Sequence, residues 1–359
     1  MQSSPSMYAS LSMPSPSFSP GIKVDCQQVY STNADHKVCL WPISKDEVIV
    51  ADRGGKISKV KLLGDTGCSQ AEMFDNNNGK PITDLVRVRG DQTFFIDSDR
   101  VQLKESVSKH QSQSVLQNVC ADSSSRGKIL NFYEKSNQLY VKGNEANTIL
   151  VVSLDHGSIE NEIIISEPAK GRTIAEFSVN PKNGDLLAIT TGGDVIFRST
   201  NAARADAFYR FDGREKERFA SVSVDWEAGL LVAVGTQTLE KQNHQHVVYV
   251  YDIKDTSEIK LVAKSKKWQT KDPQDADTVG HVYLQEIDGH QYICCFTDFT
   301  SSLIVFRYTA DSQTIELVSY PQKLNKGRTF DVRQAYGRFY ACFDGQDLAL
   351  VNIHSPSFF

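Results

Sequence analysis

The chain repeats one pattern of apolar and polar positions along most of its length. A segment in which apolar and polar residues alternate is followed by a short polar turn and then by a second, more apolar segment. Alternation with a period of two is typical of β-strands, because successive side chains point to opposite faces of a sheet. The pattern therefore predicts a series of β-hairpins. Seven copies occur, beginning at Lys37, Pro81, Arg126, Arg172, Arg218, Thr278 and Gly327.

The turns inside these copies have the composition expected between paired strands. Pro181 to Gly184, Asp288-Gly289 and Tyr336-Gly337 all contain Gly, and the first also contains Asn. These residues adopt a positive φ at low cost, and tight hairpin turns require that conformation. The turn chemistry thus agrees with the strand pattern on either side of it.

A second hairpin follows the first in several units, so that each unit has four strands. Successive units start 44, 45, 46, 46, 60 and 49 residues apart, which is the size of a four-stranded propeller blade. We therefore predict an all-β fold, a seven-bladed β-propeller. The second hairpins are Thr148 to Leu154 with Ile159 to Ile165, Val247 to Ile253 with Ile259 to Val262, and Leu303 to Tyr308 with Ile315 to Val318.

The two ends of the chain complement each other. The last unit has a third strand, Leu348 to Ile353, and the residues after it are too few for a turn and a fourth strand. An extended segment upstream of the first unit, residues 22 to 30, could pair there and remove the open edge. We predict a single propeller over residues 21–354, closed by this N-terminal strand. Residues 1–20, rich in Ser, Pro and Met, are predicted to be a disordered tail, and residues 355–359 a short C-terminal tail.

Composition narrows the classes of function. The formal net charge is -5 and the pI is about 5.9, which disfavours nucleic acid and anionic membranes as partners. The chain has neither a long apolar run nor a secretion signal, and its seven cysteines are scattered and mostly lie in apolar segments. We expect reduced thiols rather than disulfides, and a cytoplasmic or nuclear protein that is not secreted.

At this level the chain resembles seven-bladed propellers of the WD-repeat type over about residues 22 to 354. The Trp-Asp dipeptide typical of that family is missing. This resemblance implies a noncatalytic scaffold that binds other proteins or peptides as part of a complex, without a cofactor. The positions of the Trp-Asp pair hold Ser153-Leu154, Tyr251-Asp252, Arg307-Tyr308 and Asn352-Ile353.

The chain also looks like lactonase-type propellers, whose units often begin with Gly and Arg. The tetrapeptide Lys-Gly-Arg-Thr occurs at 170 to 173 and again at 326 to 329. This resemblance implies an alternative, a small-molecule enzyme that binds an anionic ligand at an arginine-lined channel mouth. A third alternative, an RNA-binding propeller, requires a basic face, which the acidic composition disfavours. No catalytic residues are predicted.

Three arginines form the first candidate site, namely Arg172, Arg218 and Arg328. Because each precedes or begins the innermost strand of a unit, they should lie near one mouth of the channel. Their guanidinium groups could bind a carboxylate, a phosphate or an acidic peptide. The alternative is that each arginine pairs with an acidic neighbour and only ties the blades together. Those neighbours are Glu176, Glu217 and Asp331.

A basic segment around an aromatic residue forms the second candidate site. Lys266, Lys267 and Trp268 lie in the longest interval between units. An exposed indole with lysines beside it could contact a partner protein. The alternative is a tryptophan packed against the neighbouring blade, with solvated lysines around it. His244 and His246 nearby are interpreted as part of a solvated turn and not as a metal site, because no third ligand is close in the sequence.

Overall fold

The described part of the chain is almost entirely β-structure. A computed structural model of the protein describes residues 22–31, 37–52, 54–63, 68–75, 82–88, 92–97, 100–104, 113–117, 129–145, 147–164, 173–190, 194–198, 207–209, 217–238, 244–255, 259–269, 277–325, 327–343 and 347–355. The tail predicted for residues 1–20 lies outside these ranges. Within them, no helix has the length and apolar character needed to cross a membrane.

The described strands form seven antiparallel sheets of four strands each. The sheets are numbered in chain order, so that sheet 1 begins with β2 and sheet 7 begins with β26. Sheet 1 contains β2 (Lys37–Ser44), β3 (Glu47–Asp52), β4 (Lys56–Leu62) and β5 (Cys68–Asp75). Sheet 2 contains β6 (Ile82–Arg87), β7 (Thr93–Asp97), β8 (Arg100–Lys104) and β9 (Gln113–Gln117). Sheet 3 contains β10 (Leu130–Tyr133), β11 (Gln138–Lys142), β12 (Thr148–Ser153) and β13 (Ser158–Ile164), with a 3-10 turn at Glu134–Ser136.

The remaining four sheets follow the same plan. Sheet 4 contains β14 (Ile174–Val179), β15 (Leu186–Thr190), β16 (Val195–Arg198) and β17 (Ala207–Tyr209). Sheet 5 contains β18 (Glu217–Asp225), β19 (Leu230–Thr238), β20 (His244–Asp252) and β21 (Lys260–Lys264). Sheet 6 contains β22 (Val279–Ile287), β23 (His290–Thr297), β24 (Ser302–Thr309) and β25 (Thr314–Lys323). Sheet 7 contains β26 (Thr329–Ala335), β27 (Arg338–Phe343), β28 (Asp347–His354) and β1 (Lys23–Ser31).

The turn chemistry explains where the inner hairpins close. In sheet 6, Asp288 and Gly289 have φ of 50° and 75°, and in sheet 7 Tyr336 and Gly337 have φ of 52° and 74°. Two successive residues with positive φ are the requirement of the tight turn whose twist matches the flanking strands. The predicted hairpins at these positions are therefore confirmed.

Sheet 7 is completed by the two ends of the chain. Strand β1 runs antiparallel to β28, with Lys23 opposite His354 and Ser31 opposite Asp347. Val29 is buried on this strand and packs with Leu348 and with Leu40 of sheet 1. The prediction that an N-terminal strand closes the last sheet is confirmed.

The core lies between sheets rather than in one central mass. The described residues form seven clusters of buried apolar side chains, and each cluster lies between two sheets that follow one another in the chain, with one between sheets 7 and 1. Strands β2, β6, β10, β14, β18, β22 and β26 form the inner edges of the sheets. This arrangement confirms the predicted β-propeller, and it leaves a channel bordered by the inner strands.

Candidate functional site

The residues around the channel are positioned by a repeated irregularity. In six of the seven described sheets, the inner strand has a register shift near its start, as at Thr83 in β6 and Phe330 in β26. A β-bulge of this kind re-aims the side chain that follows it. The residues that follow the six shifts are Cys39, Asp84, Glu176, Ser221, His281 and Asp331.

Two of these residues share a buried arginine. Arg333 Nε donates a hydrogen bond to Asp331 Oδ2 at 3.0 Å, and Arg333 Nη2 lies 3.5 Å from Asp84 Oδ1. The three residues are 7%, 4% and 1% exposed, so the network is withdrawn from water. Buried charges are tolerated in proteins when they are paired and hydrogen-bonded, as these are.

Backbone groups of neighbouring sheets hold both carboxylates. Asp84 Oδ2 accepts hydrogen bonds from the N–H groups of Ile129 and Leu130 in sheet 3, at 2.8 and 2.9 Å. Asp331 Oδ2 accepts one from the N–H of Leu40 in sheet 1, at 2.9 Å. Each aspartate therefore links the inner strand of its own sheet to that of the next one.

The arginine crosses sheet 1 to reach sheet 2. Sheet 1 has Cys39 at the position where its neighbours have aspartate, and this small, buried side chain lies among Asp84, Asp331 and Arg333. A larger residue there would occupy the space through which Arg333 reaches Asp84. The network therefore ties sheets 7, 1, 2 and 3 together on one side of the channel.

The electrostatics of the network follow from burial and pairing. Burial raises the pKa of Asp84 above its usual value, although Arg333 and the donated backbone N–H groups act in the opposite direction. Burial alone would lower the pKa of Arg333, but Asp331 and Asp84 outweigh it and raise that pKa. The guanidinium thus stays charged, and its charge is shared between two carboxylates.

Next to this network a pocket of about 100 Å³ opens between the inner strands β14, β18, β22 and β26, and Arg333 of the network lines it. Its polar lining includes Glu176, Ser221, His281 and Asp331, all of which follow register shifts. Tyr283 lines it as well, and its hydroxyl donates to the carbonyl oxygen of Val332. Four different sheets thus contribute polar groups to one space.

The structure describes the side chain of only one of the three arginines predicted as a cluster. Arg172 lies outside the described residues, and so does the side chain of Arg218, whose backbone pairs with Thr236. Arg328 is exposed, with its guanidinium carbon 4.1 Å from the centre of the Phe299 ring. Asp331, considered as a partner for these arginines, binds Arg333 instead. An anion site formed by the three arginines stays a prediction.

The segment from Ser265 to Trp268 continues the outer strand of sheet 5 after a break. Val248 N donates to Ser265 Oγ at 2.9 Å, and Ser265 N donates to Val248 O at 2.9 Å. Trp268 exchanges two backbone hydrogen bonds with His246, at 2.9 and 3.0 Å. Between these fixed points Lys266 and Lys267 are looped out and exposed.

The indole of Trp268 packs against neighbouring rings of sheets 5 and 6. Its ring lies 4.6 Å from that of His246 and 5.7 Å from that of Phe306 in sheet 6, between ring centres, and the side chain is partly buried. The exposed part of the second candidate site is therefore the lysine pair, and the indole fixes the loop that carries it.

The interpretation of His244 and His246 as a solvated turn is wrong. Strand β20 begins at His244, and His246 is fully buried. Its Nε2 donates to the carbonyl oxygen of Asp277 at 3.2 Å, so Nδ1 accepts from the Thr236 hydroxyl at 2.9 Å. Burial lowers the pKa of His246 to about 4. Within the described ranges, His, Cys, Asp and Glu side chains form no group that could hold a metal ion.

Sequence reasoning missed Asp84, Ser221, His281 and Arg333, and it considered Glu176 and Asp331 only as partners of the three predicted arginines. One signal was present in the chain, because each of these positions lies near the start of an alternating segment that the repeat had located. Alignment of the seven units on their first hairpins would have placed Asp84, Glu176, His281 and Asp331 at equivalent positions. The pairing of Asp84 with Arg333, which are 249 residues apart, has no local signal.

Comparison with known proteins supports the fold. No protein-family model matches the chain, and no curated protein matches it by sequence. Among solved structures, it is similar to a catalytically inactive variant of virginiamycin B lyase from Staphylococcus aureus with quinupristin. The TM-score is 0.62 and the identity 11%, over 92% of this chain and 99% of that one. It is also similar to the β-propeller domain of Cps50 (Swd1) from Myceliophteria thermophila, with a TM-score of 0.61 and 12% identity over 89% and 98% of the two chains.

At these identities the likeness defines the fold alone. The two similar structures are an enzyme variant and a propeller domain, so the fold by itself does not select a function. The protein is a β-propeller with a charged network and a polar pocket in its channel.

Proposed function

We propose that the protein is a noncatalytic, WD-repeat-like scaffold of an intracellular complex, in the cytoplasm or nucleus, and that it binds an acidic segment of a partner protein through Lys266 and Lys267. The observation that supports this most is the way the lysine pair is displayed. Both side chains are exposed on a short loop whose two ends are fixed by backbone hydrogen bonds to Val248 and His246. A fixed loop loses little conformational freedom when a partner binds.

The charge of the loop contrasts with that of the whole chain. The protein carries a formal net charge of -5, whereas this loop and the strand before it hold Lys264, Lys266 and Lys267. Lys264 Nζ lies 5.0 Å from the centre of the Tyr249 ring, and no ion pair of Lys266 or Lys267 occurs among the described residues. A local basic surface favours an acidic partner and disfavours a second basic one.

We infer that the seven sheets are the seven blades of one ring. The clusters between consecutive sheets, including the one between sheets 7 and 1, support this count. A closed ring of packed sheets is rigid, and it can hold a loop such as 264–268 in one position. Rigidity of this kind suits a scaffold that presents binding surfaces to several partners.

The proposal is tested by affinity purification with the full chain as bait. We expect Lys266→Glu combined with Lys267→Glu to abolish capture of partners that the wild-type protein retains, because the charge of the contact is reversed. Capture by the wild type should also weaken as the salt concentration rises from about 0.1 M to about 0.5 M. The readout is quantitative mass spectrometry of the retained proteins.

A matched control separates the site from the overall charge. Lys135→Glu combined with Lys182→Glu makes the same change of charge at two exposed lysines of sheets 3 and 4. This control should retain the partners and melt at the same temperature as the first variant. If both double variants retain the same proteins as the wild type, the lysine loop is not the contact.

A further inference from the structure

A large apolar side chain, Leu317, is left in water on the outer strand of sheet 6. It lies in β25 and is 43% exposed. Its cross-strand partner is Phe306 in β24, which is buried in the cluster between sheets 5 and 6. Because cross-strand partners point to the same face of a sheet, Leu317 lies on the face of sheet 6 that is directed towards sheet 5. The packing of the two sheets therefore buries Phe306 and leaves Leu317, one strand further out, accessible.

The outer strands of sheets 5 and 6 form an apolar strip that includes this leucine. Strand β21 lies beside β25. From sheet 5, Val262 and Trp268 are partly buried and pack against the cluster between the two sheets. The Trp268 ring contacts Phe306, the residue opposite Leu317, at 5.7 Å between ring centres. The indole thus connects the lysine loop at 266–267 to the surroundings of Leu317.

The charge along this apolar strip is positive. Residues 260–269 and strand β25 together contain five lysines and one acidic residue, Glu316. All five lysines are exposed, namely Lys260, Lys264, Lys266, Lys267 and Lys323. The outer strand of sheet 3, β13, also exposes two isoleucines, but it holds two glutamates and no lysine. Apolar surface bordered by lysines suits an acidic segment, whereas that of β13 does not.

We propose that the acidic partner segment also carries a large apolar side chain, which packs on Leu317 while its acidic residues face Lys266 and Lys267. This inference rests on the proposed function and adds the kind of sequence that the lysine loop recognises. A purely acidic segment would leave Leu317 in water, whereas an apolar residue removes it from water and so favours binding. Exposed charge pairs each contribute little affinity, so the apolar contact supplies the selectivity between acidic segments.

The test uses two synthetic peptides as probes with the full chain. One peptide has two leucines flanked by glutamates, and the other has serines in place of the leucines and the same charge. By fluorescence anisotropy at low salt, we expect the leucine peptide to bind about tenfold more tightly, because a leucine side chain leaves water. Equal affinities, or no binding of either peptide at about 1 mM, would overturn the proposal.

Two leucine variants locate the apolar contact. Leu317→Ser should remove the preference for the leucine peptide and leave the affinity for the serine peptide unchanged. Leu261→Ser is the matched control, because Leu261 is 52% exposed on the outer strand of sheet 5. It lies opposite Tyr251, which packs in the cluster between sheets 4 and 5, so it belongs to the face directed away from sheet 6. The control should keep the preference, and a preference that survives in Leu317→Ser would contradict the proposal.

The lysine variant separates this inference from the proposed function. Lys266→Glu combined with Lys267→Glu should abolish the binding of both peptides. If the wild type binds both peptides equally and this variant binds neither, the proposed function holds and the inference fails. If this variant binds both peptides like the wild type, the two proposals fail together.

Two further measurements exclude other reasons for a lost preference. Leu317 and Leu261 are both exposed, so the two leucine variants should melt at the wild-type temperature. Sedimentation of the wild type without peptide should show a monomer. A dimer that Leu317→Ser abolishes would mean that a second copy of the chain covers the leucine, and this result would also overturn the proposal.

Discussion

At the scale of single residues, buried ion pairs hold the inner strands of the channel in place. Arg333 contacts Asp84 and Asp331, and the two carboxylates also accept backbone hydrogen bonds from three different sheets. Burying such a group costs desolvation energy that its pairing offsets only when the geometry is good. The network therefore fixes the relative position of the inner strands more than it adds net stability.

His246 is the residue whose protonation should affect stability most directly. Folding lowers its pKa from 6.5 to about 4, so the unfolded chain binds a proton between these values and the folded chain does not. The neutral His246 therefore contributes fully to the free energy of unfolding above pH 6.5. This contribution decreases as the pH drops, and about 3 kcal/mol is lost at pH 4. Urea unfolding of the wild type and His246→Gln at about pH 7.5 and about pH 4.5 measures this, and the wild type should lose more stability.

A second histidine provides the control for that comparison. His156 lies at an exposed turn of sheet 3, and His156→Gln should follow the pH dependence of the wild type. If wild type and His246→Gln lose the same stability between the two pH values, the buried imidazole is not the group responsible.

At the scale of elements, strand β1 has a role that its position in the chain conceals. It is the first of the described strands in the sequence and the outermost one of the last sheet, where it pairs with β28. Its residues alternate between buried positions such as Val29 and exposed ones such as Gln28. An outer strand that joins the two ends of the chain protects an edge that would otherwise be open.

This role is tested by a pair of adjacent substitutions on β1. Val29→Glu places a charge in the cluster between sheets 7 and 1 and should reduce the free energy of unfolding by about 3 kcal/mol or more. Gln28→Glu introduces the same side chain on the exposed face and should change it by less than about 0.5 kcal/mol. Thermal and urea unfolding are the measurements, and similar losses in the two variants would show that β1 is not packed in solution as described.

Deletion of the same strand gives a coarser version of the test. Removal of residues 1–31 should lower the melting temperature strongly, because β28 loses its partner along its whole length. Removal of residues 1–20 leaves β1 in place and should have little effect.

At the scale of the whole molecule, the sheets should unfold as one unit. Each described sheet packs against two others. The loss of apolar packing between two sheets should therefore also weaken sheets that do not contain the altered residue. The three tryptophans of the chain belong to sheets 1 and 5, since Trp41 lies in β2, Trp226 in the turn after β18, and Trp268 next to β21. None of the three packs in the cluster between sheets 6 and 7, so they report on other junctions of the fold.

Phe339→Ala tests whether the sheets unfold as one unit, because it removes a side chain from a junction that contains no tryptophan. Phe339 is fully buried between sheets 6 and 7, with its ring centre 5.0 Å from that of Phe296, and its loss should cost about 3 to 5 kcal/mol. In urea, tryptophan fluorescence and far-UV circular dichroism should still show one coincident transition at a lower midpoint. Phe299→Ala, at an exposed position, should shift the midpoint much less. A tryptophan transition that stays at the wild-type midpoint would show that the sheets unfold independently.

The sequence by itself determined the strands, their turns and the use of the first strand to finish the last sheet. These features depend on local periodicity, on residues such as Gly289 and Gly337 that accept positive φ, and on the number of strands at each end of the chain. Only the tertiary structure decided what the strands bring together. Asp84 meets Arg333, and Trp268 packs on Phe306, because curvature and bulges place remote side chains at one channel or one junction. For that physical reason the fold could be predicted from the pattern, whereas the charged network and the pocket around Ser221 could not.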